Sequence, residues 1–155
     1  MLDAFQRKNA SYRRAAAEIA GKQRMVSAVP GLIRLLNDPD QWVKLCAAQS
    51  LVQFSESRVE KRLLQAFSEE DLTVIAGAYE FFIRKGVPGS EKFLIRGMTE
   101  RIDGNPSKMA TVFWNCGNPK LKEAARSFLL GEYARFQVEP VPKWGSEILK
   151  NKTDQ

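Results

Sequence analysis

The chain has 155 residues and a formal charge of +6, one domain's worth of sequence and enough to bury a core. It contains no histidine, which removes the usual general base near neutral pH, histidine-ligated metal sites and every Ser–His or Cys–His pair. No apolar run approaches the ~18 residues of a membrane-spanning helix.

Residues 3–20 read as a first helix that starts either near Asp3 or at Asn9/Ser11. Ala15, Ala16 and Ala17 permit close helix approach, while Arg7, Lys8, Arg13 and Arg14 load the outer surface. Those cations are read either as a solvated terminal cap or as a patch for an acidic or phosphate-bearing ligand. Charge is concentrated here: residues 1–37 carry seven Lys/Arg against Asp3 and Glu18. The opening residues lack the apolar middle of a secretory leader, so the expected location is cytoplasmic, or periplasmic if a leader has been trimmed. Residues 24–37 form a second helix with Pro30 near its beginning and Leu32, Ile33, Leu35 and Leu36 inside.

Asp38 then reads as a helix cap with Pro39 at the first helical position, where a missing N–H costs nothing. Val43, Ala47, Ser50, Leu51 and Phe54 recur at helical spacing. Trp42, in the first turn, is read as a packing residue. Ser57 and Glu60 have the spacing of a capping box, and Val59, Leu63, Ala66 and Phe67 give that helix its apolar stripe. The Ser68–Asp71 stretch repeats the capping logic; its three acids suit a helix N-terminus and do not suggest a metal site. Leu72–Arg84 is a further helix rich in aromatics, with Gly77 where the preceding unit has Cys46.

Gly86–Ser90 is a turn, with Ser90 capping Glu91–Arg101. No Gly-Lys-Ser/Thr follows it, so it is not a phosphate loop. Asn105 caps and Pro106 opens a helix at Ser107–Asn115, and Asn118-Pro119 opens the last one, running to Phe136. Prolines make residues 139–142 extended. Trp144, Ile148 and Leu149 then offer apolar groups to fold back as a C-terminal cap. Cys46 and Cys116 lie two units apart, beyond disulfide reach, and are read as free thiols.

These helices form a repeat. Shifting the sequence by 31 residues aligns Tyr12, Val43 and Val74; Ala16, Ala47 and Ala78; Leu51, Phe82 and Phe113; and Leu32, Leu63 and Leu94. Leu36, Phe67, Met98 and Leu129 close the second helix of four successive units. No such helix pair can bury its stripe alone, so each must lean on its neighbours. Domain boundaries follow: one domain over residues 1–155, with units at about 3–37, 38–68, 69–99 and 100–130 and a cap at 131–155.

Asp38-Pro39-Asp40, Val43-Lys44, Ala47-Ala48 and Leu51, echoed by Tyr12-Arg13 and Ala16-Ala17, resemble the short class of HEAT repeat, the kind also found in phycobilin lyase subunits. The resemblance covers roughly Asn9 to Leu130. It departs from the family at Lys44 and Ile75, where Arg is usual. It implies an all-α fold, a right-handed α-α superhelix or solenoid of about four helical hairpins whose second helices line a concave face. On that face the stripe opposite the core carries Arg34, Lys61, Arg62, Gln65, Lys92 and Arg96, with Glu123 breaking the row in the fourth unit. The expected function is therefore a non-catalytic protein-binding scaffold that holds an acidic protein segment on this basic row. If the N-terminal cations are a ligand patch, Arg7, Lys8, Arg13 and Arg14 form a further surface for an acidic ligand; if they are a terminal cap, they are solvated. The alternatives are nucleic-acid binding through the same basic surfaces and, by family analogy alone, a lyase-type accessory subunit. No cofactor or metal is expected, and a monomer is favoured.

Overall fold

A computed structural model describes residues 2–136 and 143–153, so the extended reading of residues 139–142 lies outside it. The described residues contain helices and turns and no strand. In chain order the α-helices are α1 (Ala10–Lys22), α2 (Val29–Leu35), α3 (Gln41–Leu51), α4 (Ser57–Ser68), α5 (Leu72–Gly77), α6 (Tyr79–Lys85), α7 (Glu91–Thr99), α8 (Pro106–Asn115), α9 (Pro119–Phe136) and α10 (Lys143–Thr153). The chain divides into two compact units, Met1–Phe93 and Leu94–Gln155.

In the first unit, local chemistry sets the helix starts. The Asn9 side chain accepts the Ser11 N–H at 2.8 Å and fixes the beginning of α1. Leu2–Gln6 is a separate 3-10 turn. Its Phe5 is buried against Gly31, where an added Cβ would collide with the ring. Two expected caps are displaced. Asp40, not Asp38, caps α3 by accepting the Trp42 and Val43 N–H groups. Asp38 stands two residues before the cap, where its carboxylate holds Arg13, 25 residues earlier, and accepts the Asp40 N–H. At α4 the cap position falls to Glu56, and Ser57 is the first helical residue with no capping box formed.

The expected helix over residues 72–84 is broken at Ala78, whose φ of −95° and ψ of 24° leave the helical region. Every residue from Val74 to Tyr79 is buried, so one stripe of a straight helix does not account for the burial. The bend separates α5, which packs on α3, from the aromatic segment in which Phe81 and Phe82 meet edge to face at 5.2 Å.

The helices pack in adjacent pairs, the arrangement of an α-α solenoid. α1 lies along α3 and α3 along α5, while α2 packs on α3 and α4 on α5. Small residues allow the first helices to approach. Ser50 Oγ donates to the Ala17 carbonyl at 2.7 Å, and a Cβ on Gly21 would come within 2.6 Å of Ser50. A Cβ on Gly77 would come within 2.9 Å of Ala48. The 31-residue register is the core register: Val43 and Val74, Ala47 and Ala78, Leu51 and Phe82, and Leu32 and Leu63 are all fully buried. Each large apolar side chain so buried contributes about 1.5–3 kcal/mol. Tyr12, the first member of the Val43/Val74 series, is instead 65% exposed.

Successive rungs of charge join the pairs in this unit. Arg13 Nε and Nη2 hold the two Asp38 oxygens at 2.7 and 3.0 Å. One repeat on, Lys44 Nζ meets Asp71 Oδ2 at 2.7 Å. Turns end the helices with left-handed residues at Arg24, Glu70 and Gly86. After each, the next N–H reaches back five residues, as in Met25 to the Ala20 carbonyl and Asp71 to the Ala66 carbonyl.

In the second unit α8 packs along α9, and α10 on α9. Asn105 accepts the Lys108 N–H and Asn118 the Lys120 and Leu121 N–H groups, so both caps stand where the sequence predicts them. Met109, Ala110, Phe113, Leu121 and Ala125 are buried. Trp144 stacks on Trp114 with ring centroids 5.1 Å apart, and its Nε1 donates to Thr111 Oγ1. Ile148 is buried too, so the apolar groups of α10 do fold back onto this unit.

Candidate functional site

Five of the six row residues belong to the first unit. Arg34 stands in the last turn of α2, Lys61, Arg62 and Gln65 on α4, and Lys92 in the first turn of α7. Arg34, Lys61, Gln65 and Lys92 are exposed, and Arg62 is half-buried. These helices are neighbours. Arg62 Nη2 donates to Asn37 Oδ1 at 3.0 Å, joining α4 to the end of α2. Phe67 of α4 meets Phe93 of α7 edge to face at 5.7 Å. The row therefore rests on the outward sides of three consecutive second helices.

The members differ in what they have already bound. Among the described residues, Arg34, Lys61 and Lys92 have no carboxylate within ion-pair distance. The Lys92 ammonium sits 4.8 Å above the Phe93 ring. Gln65 donates to Glu69 at 2.7 Å, and the same carboxylate is 3.9 Å from Arg62 Nη1. That Nη1 is buried with no hydrogen-bond acceptor in reach among the described residues. Arg96 lies in the second unit and is paired with Glu100 at 3.0 Å.

The N-terminal cations also separate into distinct environments. The Arg13 guanidinium is committed to Asp38 and to the Arg7 and Lys8 carbonyls. Burial raises the Asp38 pKa most strongly of any single influence, yet the Arg13 hydrogen bond, the Asp40 N–H and the Arg13 charge together outweigh it and hold it below its usual value. Arg14 is 3.7 Å from Glu18 and lies over the Trp42 ring, which is half exposed at the start of α3. Arg7 and Lys8 remain exposed. Sequence reasoning grouped these four because charge pattern alone does not reveal that Asp38 turns inward. The one available signal was the doubled acid of Asp38-Pro39-Asp40, in which only one can cap.

Both cysteines are free, with Cys46 buried and Cys116 half-buried. Burial, then the nearby Glu18 charge, pushes the Cys46 thiol up to about 11. Burial also raises Asp103 above the ordinary carboxylate range. Among the described residues no group of three or more His, Cys, Asp or Glu is placed to hold a metal ion, and no helix is long and apolar enough to cross a membrane.

The sequence pattern of HEAT repeats matches residues 1–81, just over half of the chain. The chain belongs to the HEAT repeat family. No curated protein matches it. HEAT repeats generally serve as protein-interaction scaffolds without catalysis of their own, and they typically bind other proteins. Arg13 and Lys44, 31 residues apart, each pair with an acid at the start of the following hairpin, so their charges are spent internally.

Proposed function

We propose that this HEAT protein is a non-catalytic scaffold whose second helices hold an acidic protein segment. The supporting observation is the contrast among its cations. Arg13, Lys44, Arg58 and Lys85 are each paired with a carboxylate, whereas Arg34, Lys61 and Lys92 are exposed without one among the described residues. Three unpaired cations on neighbouring helices give an extended anionic chain successive contacts that need no rearrangement of existing pairs. Arg62 supports the row from beneath: its Nη1 is buried beside Glu69 and its Nη2 is spent on Asn37.

The test compares proteins captured from the source cell by the wild type and by an Arg34→Glu/Lys61→Glu/Lys92→Glu variant, both checked for fold by circular dichroism. Loss of an acidic partner in the variant alone supports the proposal; identical partner sets overturn it. Labelled duplex DNA provides the rival arm. Binding that falls steeply between low and moderate salt and disappears in the variant would assign the row to nucleic acid instead.

A further inference from the structure

The second helices of the first unit expose more than charge. A shift of 31 residues pairs Pro30 with Lys61, Ile33 with Leu64 and Arg34 with Gln65. Within each triad the residues stand at i, i+3 and i+4, so they share one helix face. The register that fully buries Leu32 and Leu63 turns these triads outward. Pro30, Arg34, Lys61 and Gln65 are exposed, Ile33 is half-buried and Leu64 is 38% exposed. α2 and α4 are neighbours, joined by the hydrogen bond from Arg62 to Asn37. A single exposed leucine is ordinary. Here an apolar group recurs at one position of consecutive helices, beside cations that have no carboxylate among the described residues. The acids of α4 and its end, Glu60 and Glu69, are engaged by Lys85 and Gln65.

We propose, resting on the reading of the basic row as a site for an acidic protein segment, that this segment is amphipathic. It is an extended chain with apolar residues against Ile33 and Leu64 and acidic residues against Arg34, Lys61 and Lys92, each kind recurring about every third residue. Charge complementarity sets the acids, and helix spacing sets the period. Packed helices lie about 8–10 Å apart. An extended or polyproline II chain advances about 3.1–3.4 Å per residue, so three residues carry it from one second helix to the next. The aliphatic contacts are not screened by salt, unlike the ion pairs beside them. A nucleic acid strand fits this face less well. Strands are held by exposed aromatic platforms, whereas the apolar groups offered here are aliphatic and Phe67 and Phe93 are turned on each other.

The test uses three fluorescein-labelled peptides of equal charge: four repeats of Leu-Ser-Glu, four repeats of Ser-Ser-Glu, and the first composition shuffled so that neither Leu nor Glu recurs every third residue. Fluorescence polarisation against the full chain should show the Leu-Ser-Glu peptide binding at least tenfold more tightly than either control. Ile33→Ser/Leu64→Ser should remove that advantage and change binding of the Ser-Ser-Glu peptide less than twofold. Lys61→Glu/Lys92→Glu should weaken both by tenfold or more. Equal binding of the three peptides overturns the proposal; if that common binding is lost in the lysine variant, the basic row itself still stands. Leu-Ser-Glu binding that the lysine variant leaves intact, or no binding of any peptide, overturns both. A single-stranded oligonucleotide that loses affinity in Ile33→Ser/Leu64→Ser overturns the proposal in favour of nucleic acid. The peptide comparison on the wild type decides the matter whether or not a variant folds.

Discussion

Replacing Asp38 with Asn tests whether the buried rung at Arg13 helps hold the first two hairpins together. The substitution keeps the shape and one acceptor oxygen for the Asp40 N–H but removes the charge and one acceptor from the Arg13 guanidinium. The Arg13 and Asp38 side chains are only 13% and 5% exposed. Breaking a buried pair from one side costs about 3–5 kcal/mol. Arg13 retains two backbone carbonyls and some contact with water, so the expected loss is smaller, about 2–3 kcal/mol at pH 7. Removing both partners, as Arg13→Met/Asp38→Leu, should cost less than the two single changes added together. Lys44→Met at the next rung removes a single ammonium contact and should cost about 1 kcal/mol.

The same pair makes a pH prediction. Asp38 has a folded pKa below its usual 3.8. Its contribution is therefore present above the unfolded value and is lost as pH falls through the folded one. Urea unfolding followed by far-ultraviolet circular dichroism should show a gap between wild type and Asp38→Asn that is constant from pH 7 to about 5 and narrows at more acid pH. A loss under about 0.5 kcal/mol at pH 7, or a gap unchanged at pH 3, would refute the assignment of stability to this ion pair.

The close approach of first helices predicts opposite signs for two glycine substitutions. Gly21→Ala should lower the melting temperature by overpacking against Ser50, whereas Gly131→Ala, with nothing within 4 Å of the new Cβ, should gain about 0.5–1 kcal/mol from helix propensity. Glu70→Gly relieves a left-handed residue at φ 54° and should stabilise by about 0.5–1 kcal/mol in the same unfolding assay. Asp103 has a folded pKa raised by burial, so its charged form disfavours folding at neutral pH. Asp103→Asn keeps an acceptor for the Asn105 N–H and should stabilise the protein at pH 7, with the gain gone near pH 3. Cys46, pushed up to about 11, should resist a thiol-specific disulfide reagent at pH 8 until urea unfolds the protein.

The sequence revealed the register because core positions in a stack are set by helical spacing and repeat together. Val43, Val74, Ala47, Ala78 and Leu63 were all legible in that way and are fully buried. Caps were less legible, since they depend on which of several polar neighbours is free. Asp38 was read as a cap because nothing local shows that Arg13 claims it. Tyr12 was legible as a register position but not as an exposed one. Register says which residues face a neighbour, not whether the neighbour is there. The basic row was found by taking the opposite stripe. Pattern alone could not distinguish Lys61, exposed and without a carboxylate among the described residues, from Arg96, tied to Glu100.

The ion-pair rungs stop part-way along the first unit, where its packing changes. Arg13 reaches the Asp38 loop and Lys44 reaches the cap of α5, so each cation ties its hairpin to the start of the next. The third member of that series is Ile75, which is fully buried and cannot continue the rung. From there onward the first unit is organised differently: α5 gives way to α6 at Ala78, and Phe67, Phe82 and Phe93 supply contact through aromatic edges. The match to HEAT repeats ends at residue 81, within that aromatic segment. A repeat built on buried charge needs its cation and its acid in every unit, whereas a hydrophobic register tolerates substitution by any side chain of suitable volume. Charge rungs are accordingly present at Arg13 and Lys44 and absent at Ile75, while the spacing of Leu32 and Leu63 persists in Leu94.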